Sequence, residues 1–127
     1  MKLALKSIDV AGDYLSDHKP DNLEFFSLWL TVTIGSAGED GGALYQLHVC
    51  TPNWIKHAIQ YESDDGSLWG RHMLVVEKFD VEKIEDLIKN KLKEISNNFP
   101  DDSPVELSKK VGRYAHWEFE DYVPYKE

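Results

Sequence analysis

From Leu23 to Ile34 the side chains alternate with a period of two. Phe26, Leu28, Leu30, Val32 and Ile34 fall on one side, and Phe25, Ser27, Trp29, Thr31 and Thr33 on the other. That period marks a strand, and a fully apolar face opposite a semi-polar one is the pattern of an antiparallel sheet covered on one side. Trp29 and Phe25 are then either part of an exposed aromatic patch or covered by the C-terminal segment. A shorter alternation opens the chain: Leu3, Leu5 and Ser7 against Lys2, Ala4 and Lys6 predict a first strand over Lys2 to Val10, near a sheet edge. The polar, turn-rich stretch Asp13 to Asn22 separates the two, with room for one helical turn before Pro20.

The glycine-rich run GSAGEDGG, Gly35 to Gly42, connects the long strand to the next one, Ala43 to Cys50. There Tyr45, Leu47 and Val49 point one way and Gln46, His48 and Cys50 the other. Thr51 followed by Pro52 is a helix start, because a threonine hydroxyl satisfies free backbone N–H groups and a first-turn proline lacks one to satisfy. Trp54, Ala58 and Tyr61 are expected on one face of this helix, with Ile55 and Ile59 beside them. An acidic loop carrying Trp69 runs from Glu62 to Gly70. The next stretch, Arg71 to Phe79, is apolar on both faces and reads as a fourth, central strand.

Asp80 caps the longest predicted helix, Val81 to Asn97, whose stripe is Val81, Ile84, Leu87, Ile88, Leu92 and Ile95. Its acids come early and its lysines late, which suits the helix dipole. Ser103-Pro104-Val105-Glu106 is a capping box that opens a short helix ending at Gly112. Alternation returns between Tyr114 and Tyr125, as a short last strand or ordered tail with Glu118 and Glu120 on one side. Together these elements predict an α+β fold. It would be a mainly antiparallel sheet of four to five strands with about three helices packed on one face, in a single domain over residues 1–127.

Charge and composition then narrow the function. The net charge of −9 disfavours nucleic acid and anionic membrane as partners, since both need clustered Lys and Arg. The imbalance is concentrated early: Met1 to Gly66 holds four basic residues against ten acidic ones. A basic protein partner fits this surface, and so does simple solubility. The single cysteine forms no internal disulfide and suits a reducing compartment. The apolar run at the N-terminus stops at Leu5, too short for a signal-peptide core, so a cytoplasmic location is expected.

Candidate chemistry is sparse. Gly35 to Gly42 is no phosphate cradle, because a strand rather than a helix follows, no Lys is present, and Glu39-Asp40 would repel phosphate. Cys50 precedes a helix N-terminus, a place that favours a thiolate, with His48, His57 and His72 as conceivable bases. No orienting third group or oxyanion hole can be assigned to it. His48-x-Cys50 with His57 lacks the paired spacing of zinc ligands, and no motif asks for a cofactor. Acids flanked by aromatics stand out more: Trp69 beside Asp64-Asp65, and Trp117, Phe119 and Tyr122 among Glu118, Glu120 and Asp121. Aromatic anchors rimmed by charge are how protein interfaces are built.

Three stretches carry a resemblance: Val49-Cys50-Thr51-Pro52-Asn53-Trp54, Gly70-Arg71-His72-Met73-Leu74-Val75-Val76-Glu77, and Trp117-Glu118-Phe119-Glu120-Asp121-Tyr122. Their order and spacing resemble the immunity protein 8 family of bacterial polymorphic toxin systems, over nearly the whole chain. The resemblance implies a small cytosolic α+β protein that binds a toxin domain made beside it and blocks it, with no catalytic residues. It supplies no contact residues. Those expected from the acidic, aromatic-flanked pattern are Glu39, Asp40, Asp64, Asp65, Trp69, Glu118, Glu120, Asp121 and Tyr122, facing a basic toxin surface, plausibly that of a nuclease. A non-enzymatic adaptor with an endogenous cytosolic partner is the alternative. The oligomeric state is left open.

Overall fold

The computed structural model describes residues 1–120; Asp121 and Tyr122 lie outside the described residues. The fold is α+β, with six strands and three helices among the described residues. In chain order these are β1 (Leu3–Val10), β2 (Asp13–Tyr14), β3 (Ser27–Ser36), β4 (Ala43–Cys50), α1 (Pro52–His57), β5 (Met73–Val75), α2 (Val81–Asn98), α3 (Pro104–Val111) and β6 (His116–Trp117). One turn of 3-10 helix, Leu15–Asp17, follows β2, and a single π-helical turn, Ala58–Glu62, continues α1. The sheet order is β2-β1-β3-β4-β5, with β6 also on β4.

The long alternating segment forms β3 and pairs antiparallel with both β1 and β4. Its apolar side, with Leu30, Val32 and Ile34, joins Tyr45, Leu47 and Val49 of β4 in the core under α2 and α3. From α2, Ile84, Ile88, Leu92 and Ile95 meet that face, and Leu107 and Val111 come from α3. Ser96 on α2 ties the helix to the sheet margin, since its Oγ accepts from the Leu3 N–H at 2.9 Å. The β3–β4 hairpin needs its glycines: a Cβ on Gly35 would collide with the Gly41 carbonyl, and one on Gly42 would stand 2.6 Å from the Ile34 carbonyl oxygen.

β1 departs from the simple alternation. Leu5 pairs with Ile34 and Ser7 with Thr33, so Lys6 is an extra residue in a β-bulge. The bulge resets the phase. Leu3 and Leu5 face inward before it and Ile8 after it, so Ile8, not Ser7, joins the core.

β5 corrects a second expectation. Of the apolar run Arg71 to Phe79, only Met73–Val75 is strand, and it lies at the end of the sheet order rather than centrally. It is parallel to β4, reached by a crossover through α1. β5 and β6 divide one edge of β4: β5 pairs with His48 to Cys50, β6 with Tyr45 and Gln46. Of the rest of the run, Val76 and Phe79 pack in the core, where the Phe79 ring meets Phe26 edge-on at 5.3 Å, and Glu77 and Lys78 are exposed.

The junction between β4 and α1 is closed by four hydrogen bonds to Thr51. Thr51 Oγ1 accepts from the Trp54 N–H as N-cap and also from the Phe26 N–H at 3.3 Å, just before β3. The Thr51 N–H donates to the Phe26 carbonyl, and the Thr51 carbonyl accepts from the Ile55 N–H. Thr51→Ala therefore orphans one buried donor, the Phe26 N–H, and one half-buried donor, the Trp54 N–H. It should destabilise the fold by about 2 kcal/mol in urea unfolding, while Thr51→Ser, which keeps the hydroxyl, should lose less than half of that.

Candidate functional site

Trp54 lies over the sheet face opposite α2. Its ring meets His48 edge-on at 5.0 Å, and His48 pairs with Trp29 of β3 and Met73 of β5 in one row across the strands. The His48 ring stacks on Trp29 with centroids 4.7 Å apart and planes 10° from parallel, and its Nε2 is 2.6 Å from Ser27 Oγ. Burial pushes the His48 pKa down from the ordinary histidine value. A neutral imidazole between two indoles results. Trp29 keeps 55% of its surface exposed, which resolves the choice posed by the sequence toward exposure.

After α1 the chain widens into the π-helical turn. Trp54, Ala58 and Tyr61 were expected on one helix face. Ala58 is buried, but the wider turn rotates Tyr61 outward to 69% exposure. Tyr61 leans on His57, and His57 on Phe25, with centroids 5.0 and 5.3 Å apart. The acidic loop that follows is locally organised. Asp65 accepts from the Ser67 N–H and hydroxyl at 3.1 and 2.5 Å around Gly66, whose φ is +72. The Ser67 hydroxyl bond holds the Asp65 carboxyl below the usual range. Trp69, three residues beyond Gly66, is 93% exposed.

Arg71 brings this loop to the C-terminal turn. Its guanidinium lies 2.6 Å from Glu120, whose side chain is only 19% exposed. His72 and His116 flank the same carboxylate with nitrogens at 3.7 and 3.6 Å, and His72 Nε2 is also 2.8 Å from the Gly112 carbonyl oxygen. His72 adopts a left-handed φ of 55°, a conformation that costs energy for a non-glycine residue and is held here by its packing. β6 ends at Trp117, so Glu118 to Glu120 form a turn and the two glutamates do not share a strand face. Glu118 instead accepts from the Leu44 N–H.

The expected contact residues thus fall into three situations. Asp64, Asp65 and Trp69 share one exposed loop. Glu120 is tied to Arg71 just beyond that loop, and Glu118 is bonded to Leu44 at the hairpin end of β4, so both are engaged within the chain. Glu39 and Asp40 sit at the tip of the β3–β4 hairpin, drawn toward β1 by Lys6 Nζ on the Glu39 carbonyl at 2.6 Å. The tip lies beyond the Ala43 end of β4, whereas β5 pairs with the Cys50 end, so the tip belongs to another part of the surface. The Arg71–Glu120 pairing and the outward Tyr61 carry no local sequence signal. The first joins residues 49 apart, and the second depends on a helix changing its winding.

The structure corrects the reading of Cys50 as a candidate nucleophile. Cys50 is fully buried, and burial pushes its thiol up to about 11, so the thiolate expected from a helix N-terminus does not form. A cavity of about 260 Å³ between the sheet and α2 is walled by Leu47, Leu74, Ile88 and Leu92. Its polar neighbours, Lys91 and Arg113 among them, include no nucleophile paired with a base. Among the described residues no group of three or more His, Cys, Asp or Glu could hold a metal ion, and no helix is long and apolar enough to cross a membrane.

Two outcomes follow from these pairings. His48 holds a proton less tightly folded than unfolded, so its contribution to stability is intact above the ordinary value of 6.5 and is lost as pH falls below it. The melting temperature should drop between pH 7 and 5, and His48→Gln should flatten that slope. For the ion pair, a double-mutant cycle of Glu120→Gln with Arg71→Met should give a coupling of about 0.5–1 kcal/mol, after allowing for the exposure of Arg71. Zero coupling would show that the pair does not hold the loop to the C-terminal turn.

Comparison with known proteins gives one result. The family model described as immunity protein 8 matches residues 3–122. No curated protein and no solved structure matches.

Proposed function

Because the chain belongs to the immunity protein 8 family, we propose that it binds a cognate toxin domain in the cytoplasm of the producing cell and neutralises it without catalysis. The loop from Ser63 to Gly70 is the proposed point of contact. The observation that carries this reading is Trp69, 93% exposed at the end of a loop holding Asp64 and Asp65. Tryptophan is among the residues enriched at interface hot spots, and this indole is presented whole to a partner beside two carboxylates. Asp65 and Ser67 fix the turn before it, so little conformational freedom is lost on binding.

The acids supply the second half of the reading. A net charge of −9 steers a basic partner to this surface, and a nuclease domain, which must attract phosphate, presents such a charge. Glu120 and Glu118 take a different part. Their carboxylates are used within the chain, so they hold the loop and the β6 segment in place rather than meeting the toxin. Glu39 and Asp40 add to the long-range field from outside the contact.

Co-expression with the toxin domain encoded beside this chain tests the reading. The wild-type chain should rescue growth and co-purify with the toxin. Asp64→Lys with Asp65→Lys should slow association about tenfold at low salt, with the difference shrinking toward high salt. Absence of both rescue and complex would refute the immunity role. An unchanged, salt-independent rate would refute only the electrostatic part.

A further inference from the structure

We infer that the toxin docks across the whole sheet face opposite α2, with Trp29, Tyr61 and Trp69 as its aromatic anchors. This rests on the immunity reading above and enlarges the contact from one loop to a surface that begins on β3.

The crossover through α1 leaves this face half covered. Trp54 lies over His48, but Trp29 in the next strand stays exposed, and so does Val75 at the β5 edge in register with Cys50. Beyond α1 the π-helical turn presents Tyr61, and the following loop presents Leu68 and Trp69. Trp29, Leu44 and Val75 thus expose apolar surface on this side of the sheet, with Tyr61 beside them through His57 and Phe25. On the opposite side α2 contributes none among the described residues, while Val105 and Tyr114 are exposed beyond it. An apolar concentration of this kind on one face marks an interaction site rather than chance exposure.

The anchors are also held ready. Trp29 is fixed by its parallel stack on His48, which Trp54 and Ser27 hold in turn. Tyr61 rests on His57, backed by Phe25. Side chains whose rotamers are already set lose little entropy on binding, which is a property of hot-spot residues. π-helical turns inside or at the end of α-helices recur at functional sites, and this one exists at the cost of exposing a tyrosine.

Charge selects the occupant. Glu24 stands by the start of α1, where its carbonyl accepts from Asn53, and Glu62, Asp64 and Asp65 follow the helix. Lys56 is the opposing cation on α1 itself. An aromatic centre rimmed mainly by carboxylates fits a basic partner that offers a groove for protruding rings, which is what a toxin with a phosphate-attracting site provides. A second copy of this chain would bring the same carboxylates face to face.

The test uses the full chain and the adjacent toxin domain, with affinity measured by calorimetry. Trp29→Ala and Tyr61→Ala should each weaken binding at least tenfold, and Trp69→Ala more. Val105→Ser, on α3 across the sheet, should change it less than twofold. Because Trp29→Ala also unstacks His48, hydrogen exchange of the wild-type complex gives an independent reading: protection should appear over residues 27–31 and 57–69. Full affinity in the Trp29 and Tyr61 variants, with protection on α2, α3 or the β3–β4 hairpin, would overturn this docking face while leaving immunity standing. A wild-type dimer that Trp29→Ala dissolves would overturn it too, by making the face a self-interface. No complex with the wild-type chain would overturn the immunity reading and this one together.

Discussion

The Thr51 hydroxyl is the point on which the rest of the structure turns. It accepts from the Trp54 N–H to start α1 and from the Phe26 N–H at the entry to β3, while the Thr51 backbone closes the ladder against Phe26. One small side chain thus sets the angle at which the chain leaves the sheet. That angle decides which face α1 crosses, and with it the position of Trp54 over His48 and of everything out to Trp69. The residue is fully buried, so neither bond is traded for water. Threonine answers both demands, because its oxygen accepts twice and its methyl fills apolar space.

How much of this could be read from the residues depends on whether the information was local. The helix starts at Thr51, Asp80 and Ser103 are written in consecutive residues and appear in the structure as expected. The core stripe of α2 and the buried side of β3 follow from periodicity alone and are equally clear. What the alternation hid was a change of phase. A bulge at Lys6 moves Ile8 to the inner face, and no residue type announces it. The central position expected for β5 failed for a related reason. An apolar run such as Arg71 to Phe79 has the same composition whether it is a buried strand or a three-residue strand whose continuation folds into the core.

The candidate contacts divide the same way. Acids beside aromatics were visible in the sequence, but which acids were already engaged was not. Glu120 looked like its neighbours until Arg71, His72 and His116 were found around it. Asp64 and Asp65 remained at the surface because their loop closes on its own serine rather than on a distant base. Charge in a sequence is a census, and a folded surface is what remains after internal pairing. Here the remainder lies beside a row of aromatic rings, whose order comes from a neutral histidine wedged between two indoles.

The shared edge of β4 has a consequence in time. Its Cys50 end is closed by β5, soon after α1 in the chain, but its Ala43 end waits for β6 and the Leu44–Glu118 bonds, which span 74 residues. During synthesis the earlier strands can assemble while this part of the edge is still unpaired, since Glu118 follows Leu44 by 74 residues. An unpaired strand edge invites pairing with other chains. A nascent chain is therefore exposed to wrong partners until β6 has been made, and β6 doubles as the seal of that edge.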